Sequence, residues 1–214
     1  MLAVRWHARG DVRVEEVPPP GPPGQGDVQL AVSWCGICGT DLEEWLDGPV
    51  FIPVVPHSIT GALAPVVLGH EFAGVVTALG DGVTGLGIGE RVAVDTIVSC
   101  GRCRWCRRGE VSRCPELGAL GLHADGGHHH RGRPYRADGP RPRREDADRV
   151  AVARLGRGLP HRAAAARRGA VAAAPLITDR IPLAAALTGG LALLKEEPEK
   201  HVKILVRSGE GAAG

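Results

Sequence analysis

Four of the chain's six cysteines fall within fifteen residues, as Cys100-Gly-Arg-Cys103-Arg-Trp-Cys106 and then Cys114, spaced C-x2-C-x2-C-x7-C. No other feature narrows the fold as much. Four thiolates at this density suit one tetrahedral Zn²⁺ with no open position, a site that organises structure and leaves no place for a substrate. Gly101 and Gly109 relax the backbone where the sulfurs must converge. The competing reading is disulfides. Two-residue spacings would make strained bridges, whereas a metal satisfies every sulfur at once. The opening residues, Met1-Leu-Ala-Val-Arg-Trp-His7, carry no apolar leader segment, so a cytoplasmic, reducing location is expected.

A length of 214 residues suits one large domain or two small ones. The hydrophobic fraction is 43% but the aromatic fraction only 3%, so the core must be built from Val, Leu, Ala and Ile. Thirty-one Gly and seventeen Pro imply many turns, as in an all-β or mixed domain. No apolar run approaches the roughly 20 residues of a membrane span. The net charge of +2 implies no particular partner, but its distribution is uneven. Between His128 and Ala174 twelve Arg stand against four Asp or Glu, a break in composition.

Taken in order, Leu2–His7 and Asp11–Val17 are expected to form a hairpin around Gly10-Asp11. Pro18 to Gly24 makes a stiff loop. Asp27–Ser33 alternates Val28, Leu30 and Val32 with polar neighbours, a half-buried strand. Cys38 falls at a loop-to-helix junction, with Thr40 or Asp41 expected to cap a short helix ending at Gly48-Pro49. Val66–Val76 and Glu90–Val98 read as strands, with a Pro-containing loop over Phe51–Thr60. From His128 to Ala174 no strand alternation is visible, and Arg162–Ala174 is helical on propensity alone. Order returns with a strand at Leu176–Ile181, a helix from Pro182 to about Leu194, and a strand at Val202–Val206.

Cys38, His70 and Glu71 form a second candidate group. A thiolate, an imidazole and a carboxylate are all ligand types that Zn²⁺ accepts, and three protein ligands leave a fourth position open. Spacing alone leaves this undecided. A Cys in a Gly-rich loop is often a small buried hydrophobe, and a lone His is often structural.

Three blocks, however, look like the zinc-containing medium-chain alcohol dehydrogenases: Cys35-Gly-Ile-Cys38-Gly-Thr40-Asp41-Leu, then Gly69-His70-Glu71-Phe-Ala-Gly74, then the four-cysteine lobe, in that order. Arg5-Trp6-His7, Asp11-Val-Arg-Val-Glu-Glu-Val17 and Gly48-Pro49-Val-Phe51-Ile-Pro53 resemble the 2,3-butanediol dehydrogenase branch more closely. The likeness is nearly continuous from Met1 to Gly127. It resumes in Leu176–Pro182 and His201–Val206, which are similar to the family's C-terminus.

The resemblance implies a mostly β (α+β) fold: a GroES-like catalytic domain over 1–127 with its zinc lobe at 100–114, completed by 175–207 and followed by a tail at 208–214. It makes Cys38, His70 and Glu71 the catalytic zinc ligands and Cys100, Cys103, Cys106 and Cys114 the structural ones. Thr40 would relay the substrate's proton and Asp41 would hold His70 in one tautomer. Glu43 stands near the proton exit, where the family commonly places a His. The implied reaction is oxidation of a secondary alcohol or vicinal diol to a ketone with NAD or NADP, by a homo-oligomeric enzyme that binds neither nucleic acid nor membrane.

The chain also departs from that family. The 47 residues from His128 to Ala174 match no part of it and are too few for a complete Rossmann domain. They are expected to be disordered or loosely helical, the product of rearranged or out-of-frame coding sequence. Gly209-Glu-Gly211-Ala-Ala-Gly214 spells G-x-G-x-x-G after a strand, but no following helix presents its N-terminus to a pyrophosphate. The alternative to a truncated dehydrogenase is a non-catalytic zinc-binding remnant, or a module that relies on a partner for its nucleotide domain.

Overall fold

The computed structural model describes residues 1–127, 134–136, 151–154 and 172–208, with 134–136 and 151–154 described as backbone. Its main sheet is organised around β3 (Asp27–Gly36), the longest strand. Val28, Leu30 and Val32 alternate inward along it and are almost fully buried. On one side β3 pairs antiparallel with β5 (Glu71–Leu79), which pairs with β6 (Arg91–Asp95). On the other it pairs antiparallel with β12 (Ile204–Arg207), which lies parallel to β11 (Asp179–Pro182).

A second sheet is formed by β1 (Leu2–Ala8), β2 (Asp11–Glu16) and β4 (Val66–Val67) in the order β2-β1-β4. A third is the pair β7 (Ile97–Val98) and β8 (Gly118–Ala119). The expected N-terminal hairpin is present with its turn after Ala8.

Two apolar cores result. One joins Val28, Leu30, Val32, Phe72, Val76 and Val92 across the main sheet. The other brings Val4 and Trp6 from the first strand against Ile204 and Val206 from the last. Full burial of each such side chain contributes roughly 1.5–3 kcal/mol. The C-terminal strand is thus bound into the body twice, by its β3 ladder and by this core.

Several local expectations need correction. The helix α1 (Gly39–Asp47) is preceded by Cys38 as its cap residue, and neither Thr40 nor Asp41 takes that role. Asp41 sits in the first turn and accepts the Cys38 backbone N–H on Oδ2 at 2.9 Å, so the side chain acts backwards across the helix start. The stretch Val66–Val76 is two strands. The chain breaks between them at Gly69, whose φ of 98° suits glycine and few other residues. Glu90–Val98 likewise divides into β6 and β7. The expected strand at Leu176–Ile181 begins only at Asp179, after a 3₁₀ turn over Ala174–Leu176. The helix expected from Pro182 is a 3₁₀ turn, a π-helical stretch over Ala186–Leu191 that contains Gly189-Gly190, and a short α3 (Ala192–Glu196).

The expectation of a disordered or loosely helical 128–174 segment is also corrected where that segment is described. Pro134–Arg136 forms β9, antiparallel to β3, and Ala151–Arg154 forms β10, parallel to β6. A strand needs a free edge and a compatible ladder, neither of which appears in side-chain composition. Residues 128–133, 137–150 and 155–171, and the glycines at 209–214, lie outside the described residues.

Between α1 and β4 runs a long loop that two polar anchors hold. Glu44 is fully buried, and its carboxylate accepts the backbone N–H groups of Val50, Phe51 and Ile52. Its own carbonyl accepts Trp6 Nε1 at 2.7 Å. The second anchor is an imidazole pair. The rings of His57 and His123 lie 4.8 Å apart, and Thr60 Oγ1 donates to the His123 carbonyl and lies 3.2 Å from His57 Nδ1.

Two predictions follow from these anchors. Glu44→Ala leaves the buried Ile52 N–H and the partly buried N–H groups of Val50 and Phe51 without their carboxylate, so a loss of about 1–3 kcal/mol is expected in urea unfolding. For the imidazoles, burial and then the charge of His57 hold the His123 pKa below 6.5, against an opposing pull from Glu44. The unfolded chain therefore takes up more protons there, and stability conferred above pH 6.5 is lost as pH falls below it. His123→Gln is expected to flatten the pH 5–7 part of the stability profile; an unchanged slope counts against this assignment.

Candidate metal centres

The cysteine lobe hangs between β7 and β8. Cys103 caps the four-residue helix α2 (Arg104–Arg107), and its Sγ accepts the Cys106 N–H at 3.4 Å. Cys114 Sγ accepts the Cys100 N–H at 3.5 Å. Gly101 and Gly109, at φ of 68° and 79°, turn the chain so that these bonds form. All four sulfurs lie within 4.8 Å of one another, and Cys100 and Cys106 are 4.0 Å apart. Zn–S bonds of about 2.3 Å imply sulfur separations of about 3.8 Å in a tetrahedron, so the lobe fits the ion with little adjustment. All six cysteines are free in this structure.

The lobe has little else to hold it. Cys106 and Cys114 are its buried apolar side chains, and α2 is far too short to persist alone. On its surface the guanidinium groups of Arg104 and Arg113 lie over the Trp105 ring at 4.4 and 4.8 Å. The Cys106 backbone N–H pulls the Cys103 thiol down to about 7, while burial pushes Cys114 up to about 11. A divalent cation at the centre would ionise all four together.

The second group is more dispersed. Cys38 and His70 meet: their side chains are hydrogen-bonded, which holds the Cys38 thiol below its ordinary value. Burial lowers the His70 pKa, but this bond and the nearby acidic groups outweigh it and raise it overall. Thr40 Oγ1 is 3.8 Å from Cys38 Sγ.

Asp41 is 1% exposed, and burial pushes its carboxyl up to about 6 against the pull of His70. Asp41 Oδ1 and His70 Nδ1 lie 3.6 Å apart, and neither buried atom has a hydrogen-bond partner. A metal ion on the other imidazole nitrogen would place the proton on Nδ1, where it faces that carboxylate oxygen. This orphaned pair is the observation that makes Cys38 and His70 fit a zinc ion.

Glu71 does not join them. Its Oε2 is drawn to Lys203 Nζ at 2.6 Å. Among the described residues, the four cysteines alone bring three or more ligand atoms within mutual reach. Glu43 is exposed on α1, with the solvated position expected of a surface carboxylate. Sequence reasoning missed the buried Glu44 beside it, the His57–His123 pair and Lys203. Helical phase was the available signal for Glu44; the other two depend on contacts between segments far apart in the chain.

Comparison with known proteins agrees with this architecture. The family model described as the alcohol dehydrogenase GroES-like domain matches residues 24–131, and the chain belongs to that family. It is 43% identical over 128 residues to the (R,R)-butanediol dehydrogenase of Bacillus subtilis (strain 168), covering 59% of this chain and 36% of that protein. It is 48% identical over 100 residues to the (R,R)-butanediol dehydrogenase of Neisseria gonorrhoeae (strain ATCC 700825 / FA 1090), covering 46% of this chain and 28% of that protein. The chain thus spans about a third of the length of the curated relatives it matches.

The fold is also that of a crystal structure of 2R,3R-butanediol dehydrogenase from Bacillus subtilis, at a TM-score of 0.76 and 21% identity, over 96% of this chain and 99% of that one. Among the described residues there is no doubly wound sheet, and no helix is long and apolar enough to cross a membrane.

Because metal would serve as the lobe's core, chelation of the zinc-loaded chain is expected to expose the bonds between Cys100 and Cys114 to protease while leaving β3 and β5 protected. Cys103→Ser is expected to lower bound zinc by one ion per chain, measured by elemental analysis. Undiminished resistance of the lobe after chelation would count against a metal there.

Proposed function

We propose that this chain is the catalytic-domain portion of a zinc-dependent alcohol or diol dehydrogenase, of the kind that oxidises 2,3-butanediol or a related polyol to a ketone with NAD or NADP. The observation that carries the reading is the buried, unpartnered Asp41–His70 pair beside Cys38. A merely structural histidine would have its nitrogens satisfied. Cys38 and His70 would hold the ion, and Glu71 would join them through the carboxylate oxygen that Lys203 leaves free. When bound, zinc supplies a Lewis acid that polarises an alcohol oxygen and lowers its pKa.

The chain's own residues do the rest. Asp41 keeps the His70 proton on Nδ1. Thr40, next to Cys38, accepts the proton that the substrate hydroxyl gives up and passes it towards solvent. Hydride must leave to a nicotinamide, because zinc accepts none. The domain division follows: a body over 1–127 completed by 175–207, with 128–174 inserted and 208–214 as a tail.

A second reading has its own support. The match spans only about a third of the relatives' length, so this chain also suits a non-catalytic zinc-binding remnant, or a module that depends on a partner for its nucleotide domain. Two measurements separate the readings. Two zinc ions per chain are expected from the first, and one from a remnant that keeps only the lobe. Calorimetry with NADH is expected to show no tight binding by the isolated chain. Tight binding together with butanediol oxidation would overturn the partner-dependent reading.

A further inference from the structure

Lys203 makes two hydrogen bonds through its ammonium, to Glu71 Oε2 at 2.6 Å and to the Ile37 carbonyl at 3.1 Å. Ile37 leads directly into Cys38, and Glu71 follows His70. One side chain, from the residue before β12, therefore ties together both segments that carry the candidate ligands. They are distant in sequence from it by 166 and 132 residues.

The sheet prepares this bridge. On β3, Gly36 is opposite Glu71 of β5 on one side and Leu205 of β12 on the other. A Cβ at Gly36 would stand 2.5 Å from Glu71 Oε2 and 3.4 Å from Lys203 Cδ. The missing side chain leaves the slot through which carboxylate and lysine stem meet. Their side chains are 38% and 30% exposed, and an ion pair so placed adds little to stability. What it does supply is direction, because a carboxylate in one orientation is a better-prepared ligand than one free to rotate.

We infer that Lys203 is a positioning residue of the Cys38–His70 metal centre. It holds Glu71 by one carboxylate oxygen so that the other is available to the cation, and it fixes the backbone that enters Cys38. This rests on the metal-centre reading above. It also makes ion binding and docking of the C-terminal strand reciprocal: each strengthens the other.

The test uses the full chain, stripped of metal and titrated with Zn²⁺ against a chromophoric chelator, with Co²⁺ spectra recorded in parallel. The four-cysteine lobe serves as an internal control. Lys203→Met is expected to weaken the second ion about 10–100-fold and to change its cobalt bands, with the lobe unaltered. Lys203→Arg is expected to recover most of the affinity. Lys203→Gln, which keeps a donor for Ile37 without the charge and serves if the methionine variant fails to fold, is expected to weaken it as well.

In a Glu71→Gln background, Lys203→Met is expected to cost about 5-fold or less, since the ion pair is already gone and only the bond to the Ile37 carbonyl remains to be lost. Wild-type affinity in both Lys203→Met and Lys203→Gln would overturn the inference, as would a full 10–100-fold loss in the Glu71→Gln background. A wild-type chain that binds one ion only, in the lobe, would overturn the metal-centre reading and this inference with it.

Discussion

The pairing of β12 with the far end of β3 is the contact on which the rest of the molecule depends. It closes a loop of some 170 residues, and long closures carry a large entropic cost before any contact repays them. The repayment is visible in the core, where Ile204 and Val206 are fully buried with Val4 and Trp6. The same strand brings Lys203 over Gly36 to Glu71. Stability and site geometry therefore share one element. Loosening β12 would disturb both at once, although nothing on β12 itself is a candidate ligand.

The two metal candidates differ in how they use the backbone. In the lobe, one short segment supplies all four sulfurs, and local turns alone bring them together. At Cys38 and His70, two segments that meet at one end of the antiparallel β3–β5 ladder, one leaving β3 and the other entering β5, must be in register. A one-residue slip there would turn Glu71 and Phe72 to the wrong faces. The lobe can form around its ion; the second site exists only after the sheet has formed.

That difference explains what could be read from the amino-acid order. Cys100 to Cys114 announced themselves by spacing because the geometry is local. The alternation of Val28, Leu30 and Val32 marked β3 for the same reason. Cys38 and His70 had no legible relation to each other from spacing, and the family resemblance supplied it. Glu71 carries the family motif, yet here it turns to Lys203, a partner that no local pattern could reveal. The cap of α1 was misjudged because Asp41 has the right chemistry for a cap but sits inside the first turn. The strands at Pro134–Arg136 and Ala151–Arg154 were hidden by an Arg-rich, turn-rich composition, because edge pairing draws on backbone groups that every residue possesses.

Glu44 has an effect beyond its own burial. By gripping Val50, Phe51 and Ile52 it stiffens the root of a loop whose tip is further closed by bonds from Gly61 to His57 and from Ala64 to Pro53. Phe51, Val54 and Val55 stand 46%, 62% and 69% exposed on this loop. The apolar outcrop is thus displayed on an already ordered frame. Any surface that came to cover it would gain the release of water while surrendering almost no chain freedom, which is the thermodynamic advantage of a ligand held rigid in advance.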